Sequence, residues 1–344
     1  MDKKRYDELY NRIRKNWDKL AKPIDGLGEF EKVLSKIGAV QGDECISLDP
    51  AALLVFISDN GIVDENISQS TSEVTYEVAK ALGKGTSTVC HMAKNAGLTV
   101  YPVNVGMKNA KNIEGVENRC TINGTDNFMN GPAMTYENMF QTMNNGRLSV
   151  RKLNEAGIKI IALGEMGIGN TTTSAAVLAG LLKLDGSSVC SRGAGLSDEG
   201  LQRKVQVVDK AIRKYDLYSL NPLNILASVG GLDIAALTGA ILECYEQSIP
   251  VVIDGFITGV AALLAKNIND DIDRVLVFSH RGREGGMKYV LDEFNVEPVI
   301  TADMALGEGT GACVFIAAAK CALSVYTGGT LFKDINIADY ERFT

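Results

Sequence analysis

The stretch Gly157-Ile-Lys-Ile-Ile-Ala-Leu-Gly-Glu-Met-Gly-Ile-Gly-Asn-Thr-Thr-Thr173 decides the fold. Its first seven residues form a short apolar run of the kind seen in strands buried on both faces, where neither side meets water. Gly164-Glu165 then opens a glycine-dense turn, and an Ala- and Leu-rich helical stretch follows at Thr173–Lys183. The same unit recurs in Ala51–Ile57 running into Ser58-Asp-Asn-Gly61, in Val251–Ile253 running into Asp254-Gly255, and in Arg274–Phe278 running into Ser279-His280. Helical stretches at Asp233–Leu242 and Thr258–Lys266 lie between them. Strands alternating with helices predict right-handed βαβ crossovers, hence an α/β fold with a parallel sheet covered by helices on both faces. Ligands of such sheets bind beyond the carboxyl ends of the strands. One polar turn there is an ordinary turn, but four together point to a binding crevice. Residues 1–42 place apolar side chains such as Tyr6, Leu9, Tyr10 and Ile13 at helical spacing, with a break at Pro23 and Gly26-Leu-Gly28. They are expected to be an amphipathic helical segment.

The length of 344 residues fits about two domains, or one large α/β domain with an appendage. With 46% hydrophobic and 22% charged residues the chain is globular rather than disordered or fibrous. A net charge of −7 opposes binding to a phosphate backbone, so nucleic acid is not an expected partner. The longest uninterrupted apolar runs, Ala51–Ile57 and Ala312–Ala319, fall well short of the roughly 20 residues of a membrane span. The first residues lack an apolar signal core, and a cytoplasmic location is expected. Seven scattered cysteines, none in a CxxC arrangement, read as small buried hydrophobes in a reducing compartment. With only His91 and His280 available, a metal site built from several histidines is not expected, and acid–base work falls to carboxylates. No metal and no cofactor is called for.

Three loops have the composition for chemistry. Glycines in Gly164–Thr173 let backbone N–H groups approach a ligand, and the following helix N-terminus favours an anion. Its outline is close to a Walker A loop, but Asn170 stands where that motif needs Lys, which disfavours nucleoside triphosphate hydrolysis. It also lacks the third small residue of a dinucleotide fingerprint, which argues against an NAD-dependent dehydrogenase. A monophosphate or phosphoribosyl group remains, against the plainer reading of a glycine turn with threonine caps. The second loop, Arg192-Gly-Ala-Gly-Leu-Ser-Asp-Glu-Gly-Leu-Gln-Arg-Lys204, leads into a helix starting near Ser197 or Asp198, and its Lys204 offers a charge for an anion. The third, Gly307-Glu308-Gly309-Thr310-Gly311, sets a carboxylate between glycines at the start of an apolar helix. Such glycine density costs chain entropy and favours function over packing.

Over most of its length the chain resembles the nicotinate-nucleotide:dimethylbenzimidazole phosphoribosyltransferases, which activate the lower ligand of cobamides. The resemblance rests on Asp59-x-Gly61, Asn127-Phe-Met-x-x-Pro132-Ala-Met-Thr135 and Gly164-Glu-Met-Gly-Ile-Gly-Asn-Thr-Thr172. It continues through Gly193-x-Gly195 with Asp198-Glu-Gly-Leu201 and Lys204, Gly230-Gly231-x-Asp-Ile-Ala-Ala236, Asp254-Gly-Phe256, Ser279-His280 and Leu306-Gly-Glu-Gly-Thr-Gly-Ala312. It implies a Rossmann-like parallel sheet, residues 43–311, and a small helical domain drawn from both chain ends, residues 1–42 and 312–344, usually in a dimer. It also implies transfer of ribose 5-phosphate from nicotinate mononucleotide to an aromatic nucleophile, with inversion at the anomeric carbon. Glu308 matches the family's general base and Glu165 a second acidic position. Gly167, Gly169, Asn170, Thr171, Thr172, Gly193, Gly195, Lys204, Asp254, Gly255, Phe256 and Ser279 match positions around the nucleotide.

The departures concern the acceptor. Benzimidazole-using members tend to carry His where this chain has Asn60 and Met287, and often Gln near Ser72. An acceptor pocket of Ser72, Met304 and Leu306 suits a ring with one polar atom, so phenol or p-cresol is expected alongside or instead of dimethylbenzimidazole. Relatives that act as heterodimers on phenols share this pattern, and intact Glu165 and Glu308 would make this the catalytic subunit. The competing reading is a non-catalytic nucleotide-binding paralogue serving as a partner subunit. Loss of a carboxylate or of the Gly167 loop would favour it, and neither is lost.

Overall fold

The structure is a computed structural model and describes residues 2–108, 112–193 and 195–342. Ala194 of the second glycine loop and the last two residues of the C-terminal segment lie outside these. Six strands, β1 (Ala51–Ser58), β2 (Leu98–Gly106), β3 (Glu117–Asn118), β4 (Ile160–Met166), β5 (Val251–Ile253) and β6 (Leu276–Phe278), form one sheet in the order β3-β2-β1-β4-β5-β6. Every neighbouring pair in it is parallel. A two-residue parallel pair, β7 (His280–Arg281) and β8 (Ile300–Thr301), stands apart.

Why β1 is apolar throughout is visible in what each face meets. Successive side chains of a strand point to opposite sides. Ala52, Leu54 and Phe56 join one hydrophobic cluster with Ile161, Leu163, Val251 and Ile253. Ala51, Leu53, Val55 and Ile57 join a second with Ile160, Ala162, Val252 and Val277. The first cluster is completed by helices Tyr136–Glu155, Asn170–Leu182, Leu232–Gln247 and Phe256–Ile268. The second is completed by Lys3–Asp18, Glu29–Gln41, Thr88–Ala96 and Thr310–Gly328. The expected α/β architecture, a parallel sheet covered on both faces, is therefore the observed one.

Local outcomes refine the reading. The N-terminal segment forms two helices, Lys3–Asp18 and Glu29–Gln41, with the break at the Pro23–Gly28 stretch. Ser197 caps the Asp198–Tyr215 helix by accepting from the Gly200 amide. The strand expected to end at Leu163 runs on to Met166, because Gly164, Glu165 and Met166 stay in register with Val55, Phe56 and Ile57 of β1. Glu165 is thus held on a strand rather than in a turn. Strand β2 is not among the four apolar runs, since Thr99, Tyr101, Pro102 and Asn104 interrupt its hydrophobic pattern.

The chain ends meet. Leu20 bridges to Leu331, Trp17 lies 4.8 Å from the Tyr326 ring, and Arg342 bonds Asp18 and Asp25. The Thr310–Gly328 helix is long and apolar enough by composition to cross a membrane. Here Ala312, Cys313, Phe315, Ile316 and Ala319 sit in the second cluster, and Lys320 bonds Asp49 at 2.7 Å.

Candidate active site

At the carboxyl ends of β1, β4 and β5 a glycine loop crosses the end of a strand. A Cβ on Gly164 would collide with the Glu308 carbonyl oxygen, and one on Gly307 would lie 2.7 Å from Glu165 Oε1. Only glycine at both positions lets the Gly307–Gly309 loop lie across the end of β4. Sequence positions far apart thereby bring Glu165 and Glu308 to one place. Gly307, Glu308 and Gly309 all take left-handed backbone conformations, with φ of 85°, 59° and 93°. For Glu308 this costs on the order of 1–3 kcal/mol, the kind of strain that persists where surrounding contacts impose it.

Asp254, at the end of β5, imposes it. Its Oδ2 accepts from the Gly309 amide at 3.2 Å and its Oδ1 from the Ala312 amide at 3.0 Å. The carboxylate caps the Thr310–Gly328 helix, and the helix N-terminus favours its charge. Burial nevertheless pushes the group up to about 7.

The loops enclose a cavity of about 140 Å³ lined by Glu165, Gly167, Gly169, Asn170, Thr171, Arg192, Gly193, Lys204, Glu284, Leu306, Gly307 and Glu308, with Ile67, Ser68 and Gln69 on another wall. A narrow recess beside it is lined by Asp254, Gly255, Phe256, Met304 and Leu306. At one end stands Lys204, almost wholly buried, its Nζ donating to Thr171 Oγ1 at 2.7 Å and to the Ser191 carbonyl at 3.2 Å. Burial lowers its pKa to about 8. Beside it the Asn170–Leu182 helix begins behind Gly169, whose φ is 93°. This corner joins an ammonium, a hydroxyl and a helix N-terminus, the combination that receives a phosphate.

Acids crowd the other end. Glu165 is buried, and its carboxyl is pushed up to about 8, first by desolvation and then by Asp233. The Asn170 side-chain amide donates both to Glu165 Oε2 and to Asp233 Oδ2, the latter at 3.0 Å. Glu308 is also raised by burial, but the Ser87 hydroxyl and the Val89 amide, at the start of the Thr88–Ala96 helix, work against that rise. Its Oε2 is buried without a partner. Among the described residues no group of three or more His, Cys, Asp and Glu is gathered as a metal site.

Several sequence-derived positions stand differently from their neighbours. Ser72 starts the Ser72–Gly83 helix, outside the cavity lining. Ser279 is wholly buried, donating to the Asp254 carbonyl at 2.9 Å. Thr172 is buried with no partner for its Oγ1. Gly195 accepts from Gln69 Nε2 through its carbonyl instead of lining the cavity. Phe256 is buried against the recess. Besides Ile67, Ser68 and Gln69, the lining or supporting groups that the sequence reading does not single out include Arg192, Glu284 and Asp233. Arg192 directly precedes Gly193 and Asp233 lies inside the Gly230–Ala236 motif, so both carried a signal.

A phosphoribosyltransferase family model matches residues 3–337. A nicotinate-nucleotide–dimethylbenzimidazole phosphoribosyltransferase of Acetivibrio thermocellus is 35% identical over 336 residues, 98% of this chain and 96% of the relative. One from Pseudomonas syringae pv. syringae is 33% identical over 93% of this chain and 91% of its own. The crystal structure of CobT from Thermus thermophilus superposes with a TM-score of 0.91 at 34% identity, covering 97% of this chain and all of that one. With the loop crossing, the two glutamates and the full-length match in agreement, the chain belongs to the nicotinate-nucleotide–dimethylbenzimidazole phosphoribosyltransferase family.

Proposed function

We propose that the chain transfers ribose 5-phosphate from nicotinate mononucleotide to a small aromatic acceptor for a cobamide lower ligand. The observation that carries this reading is the placing of Glu308 and Glu165 across one cavity from Lys204, Thr171 and Gly193. The phosphate sits at the Lys204 corner as a handle, which fixes the anomeric carbon between the two glutamates. The bond from that carbon to the nicotinate ring nitrogen breaks, and its electron pair leaves with nicotinate. The acceptor's nitrogen or oxygen forms the new bond from the opposite face, inverting the centre. Glu308 takes the acceptor's proton as the bond forms, with its unpartnered Oε2 free to do so. The fold division into 1–42, 43–311 and 312–344, a homodimer or a heterodimer with a paralogous subunit, and a cytoplasmic setting belong to the same reading. The seven cysteines outside any disulfide suit a reducing compartment.

The acceptor is proposed to be phenol or p-cresol alongside dimethylbenzimidazole. Support comes from Leu306, 51% exposed at the cavity edge and ready to cover a plain ring. The test is incubation of the purified chain with nicotinate mononucleotide and each acceptor, following nicotinate release and identifying products by mass. No release with any acceptor would remove the reading, and a riboside linked only through nitrogen would restrict it to benzimidazoles.

A further inference from the structure

Two buried carboxyl groups share one amide at the heart of the site. Asp233 opens the Leu232–Gln247 helix, and Gly167 and Gly231 make room for it: a Cβ on Gly167 would stand 3.1 Å from its Oδ2, and one on Gly231 would collide with its Oδ1. Its Oδ1 accepts from the Ile234 amide at 2.9 Å and its Oδ2 from Asn170 at 3.0 Å, while its own amide donates to Ser58 Oγ at 3.1 Å. Glu165 takes the other bond of the same Asn170 amide. Asp233 is wholly inaccessible and Glu165 nearly so. The groups facing Glu165 are Asp233 from that helix, Asp254 from the end of β5, Glu308 from the crossing loop and the neutral Asn170. Among the described residues no Lys, Arg or His forms an ion pair with either carboxyl, and Lys204 is engaged by Thr171 and Ser191. Adjacent carboxylates without a cation do not both ionise in a dry site.

Resting on the phosphoribosyl-transfer reading above, we propose that Asp233 is a positioning residue that, through the Asn170 amide, orients Glu165 and keeps it protonated, so that Glu165 meets the nucleotide as a hydrogen-bond donor. Asp233 keeps the charge because each of its oxygens has a donor: the Ile234 amide on Oδ1 and the Asn170 amide on Oδ2. Glu165 has only the Asn170 amide, and its Oε1 lies against Gly307. A substrate carrying a phosphate and a carboxylate would be repelled by a second carboxylate here, whereas a neutral carboxyl can donate to it. The two glutamates then divide the work: Glu165 holds its proton and Glu308, near the Thr88–Ala96 helix N-terminus, takes one.

The experiment has two arms on the full chain. Infrared spectra at pH 7 of the unmodified protein should contain a protonated-carboxyl stretch that Glu165→Gln removes; absence of that band overturns the proposal without reference to turnover. The pH profile of nicotinate release for Asp233→Asn should have its alkaline limb about one unit lower than that of the unmodified protein, because removing a neighbouring negative charge eases ionisation of Glu165. The loss should grow with pH, from about threefold near pH 6 to about 30-fold near pH 9. A uniform loss at every pH, or an unmoved limb, overturns the proposal while leaving the transferase reading in place. An unmodified protein that shows the infrared band and never releases nicotinate overturns the transferase reading instead. Should Asp233→Asn not fold, the infrared arm alone decides.

Discussion

The two ends of the cleft are built from the same materials, a strand end, a glycine loop and a helix N-terminus, and are put to opposite uses. At the Lys204 end, the groups that favour an anion gather: Lys204 Nζ, the Thr171 hydroxyl and the start of the Asn170–Leu182 helix behind Gly169, with the Glu284 carboxyl acting on Lys204 from the same cavity wall. At the Glu308 end, acceptors outnumber donors: Asp233, Asp254 and Glu308 all act on Glu165, and a single amide side chain, that of Asn170, serves both Glu165 and Asp233. Burial acts on both ends and drives each away from its charged form, the lysine down to about 8 and Glu165 up to about 8. A phosphate restores the charge of the first, since an anion beside Lys204 favours the ammonium. Nothing comparable reaches Glu165. One end therefore gains charge when the nucleotide enters, while the other keeps its proton, and the nucleotide has a single orientation that satisfies both.

The sharpest way to break this contrast is at Glu308. Glu308→Gln preserves shape and removes the proton acceptor, so transfer should fall by about 10²–10⁴ while the nucleotide dissociation constant stays within a few-fold. Single-turnover nicotinate release with calorimetry on the same preparation checks both. Undiminished turnover under saturating acceptor would show that the proton goes elsewhere.

Lys204→Met tests the opposite end. Loss of a buried charge-assisted contact should weaken nucleotide binding by about 10–100-fold, with turnover at saturation much less affected. The pH dependence gives a second handle. With the free lysine near 8, affinity of the unmodified protein should decline as pH rises through that value, because the ammonium is being lost; the variant should be flat across the window. An affinity that does not vary between about pH 7 and about 9.5 in the unmodified protein would detach the phosphate from Lys204.

These ends were not equally legible in the sequence. The Lys204 corner is made by residues near one another in motif order, Gly169 to Thr171 and Gly193 to Lys204, and its chemistry follows from composition. Glu165 and Glu308 were legible as glycine-flanked acids. Their crossing was not, because it depends on Gly164 carrying the Glu308 backbone, a contact across more than 140 positions that no periodicity records. Asp233 reads locally as the first polar residue of an apolar helix. Its bond to Asn170, 63 residues away, exists only once the start of the Asn170–Leu182 helix meets the start of that helix. Ser72 and Ser279 are the converse: their motifs sit beside the cleft, yet Ser72 is taken up in a helix start outside the cavity lining and the end of β5 takes the Ser279 hydroxyl.

A smaller effect is expected at Gly169. Its φ of 93° disfavours any L side chain, and a Cβ there would stand 2.8 Å from Val63 and 3.3 Å from Asn60. Gly169→Val should displace the helix start and weaken nucleotide binding by about tenfold, alongside a loss of stability of about 1–3 kcal/mol. Calorimetry and thermal unfolding separate the two. A folded variant with unchanged affinity would move the phosphate off this loop.

The smallest expected effect falls on the acceptor, where neither end of the cleft supplies a charge. Leu306 lies near Glu308 in sequence, lines both the main cavity and the recess, and leaves 51% of its surface exposed. A ring placed for attack on the anomeric carbon and for proton transfer to Glu308 lies over it, covering part of the isobutyl group. Trimming that group to a methyl removes apolar contact worth about 1 kcal/mol, which is about fivefold in binding. Leu306→Ala should therefore raise the acceptor KM about fivefold and leave the nucleotide KM alone, as a ring held by contact area rather than by charge requires. The contact has no preference for a second ring heteroatom. In competition between equimolar p-cresol and dimethylbenzimidazole, the variant should lose rate with both, and more with p-cresol, whose single ring has less other surface to bury. Equal losses would mean that Leu306 is only a rim, and an increase in nucleotide KM of the same size would place it against the ribose instead of the acceptor.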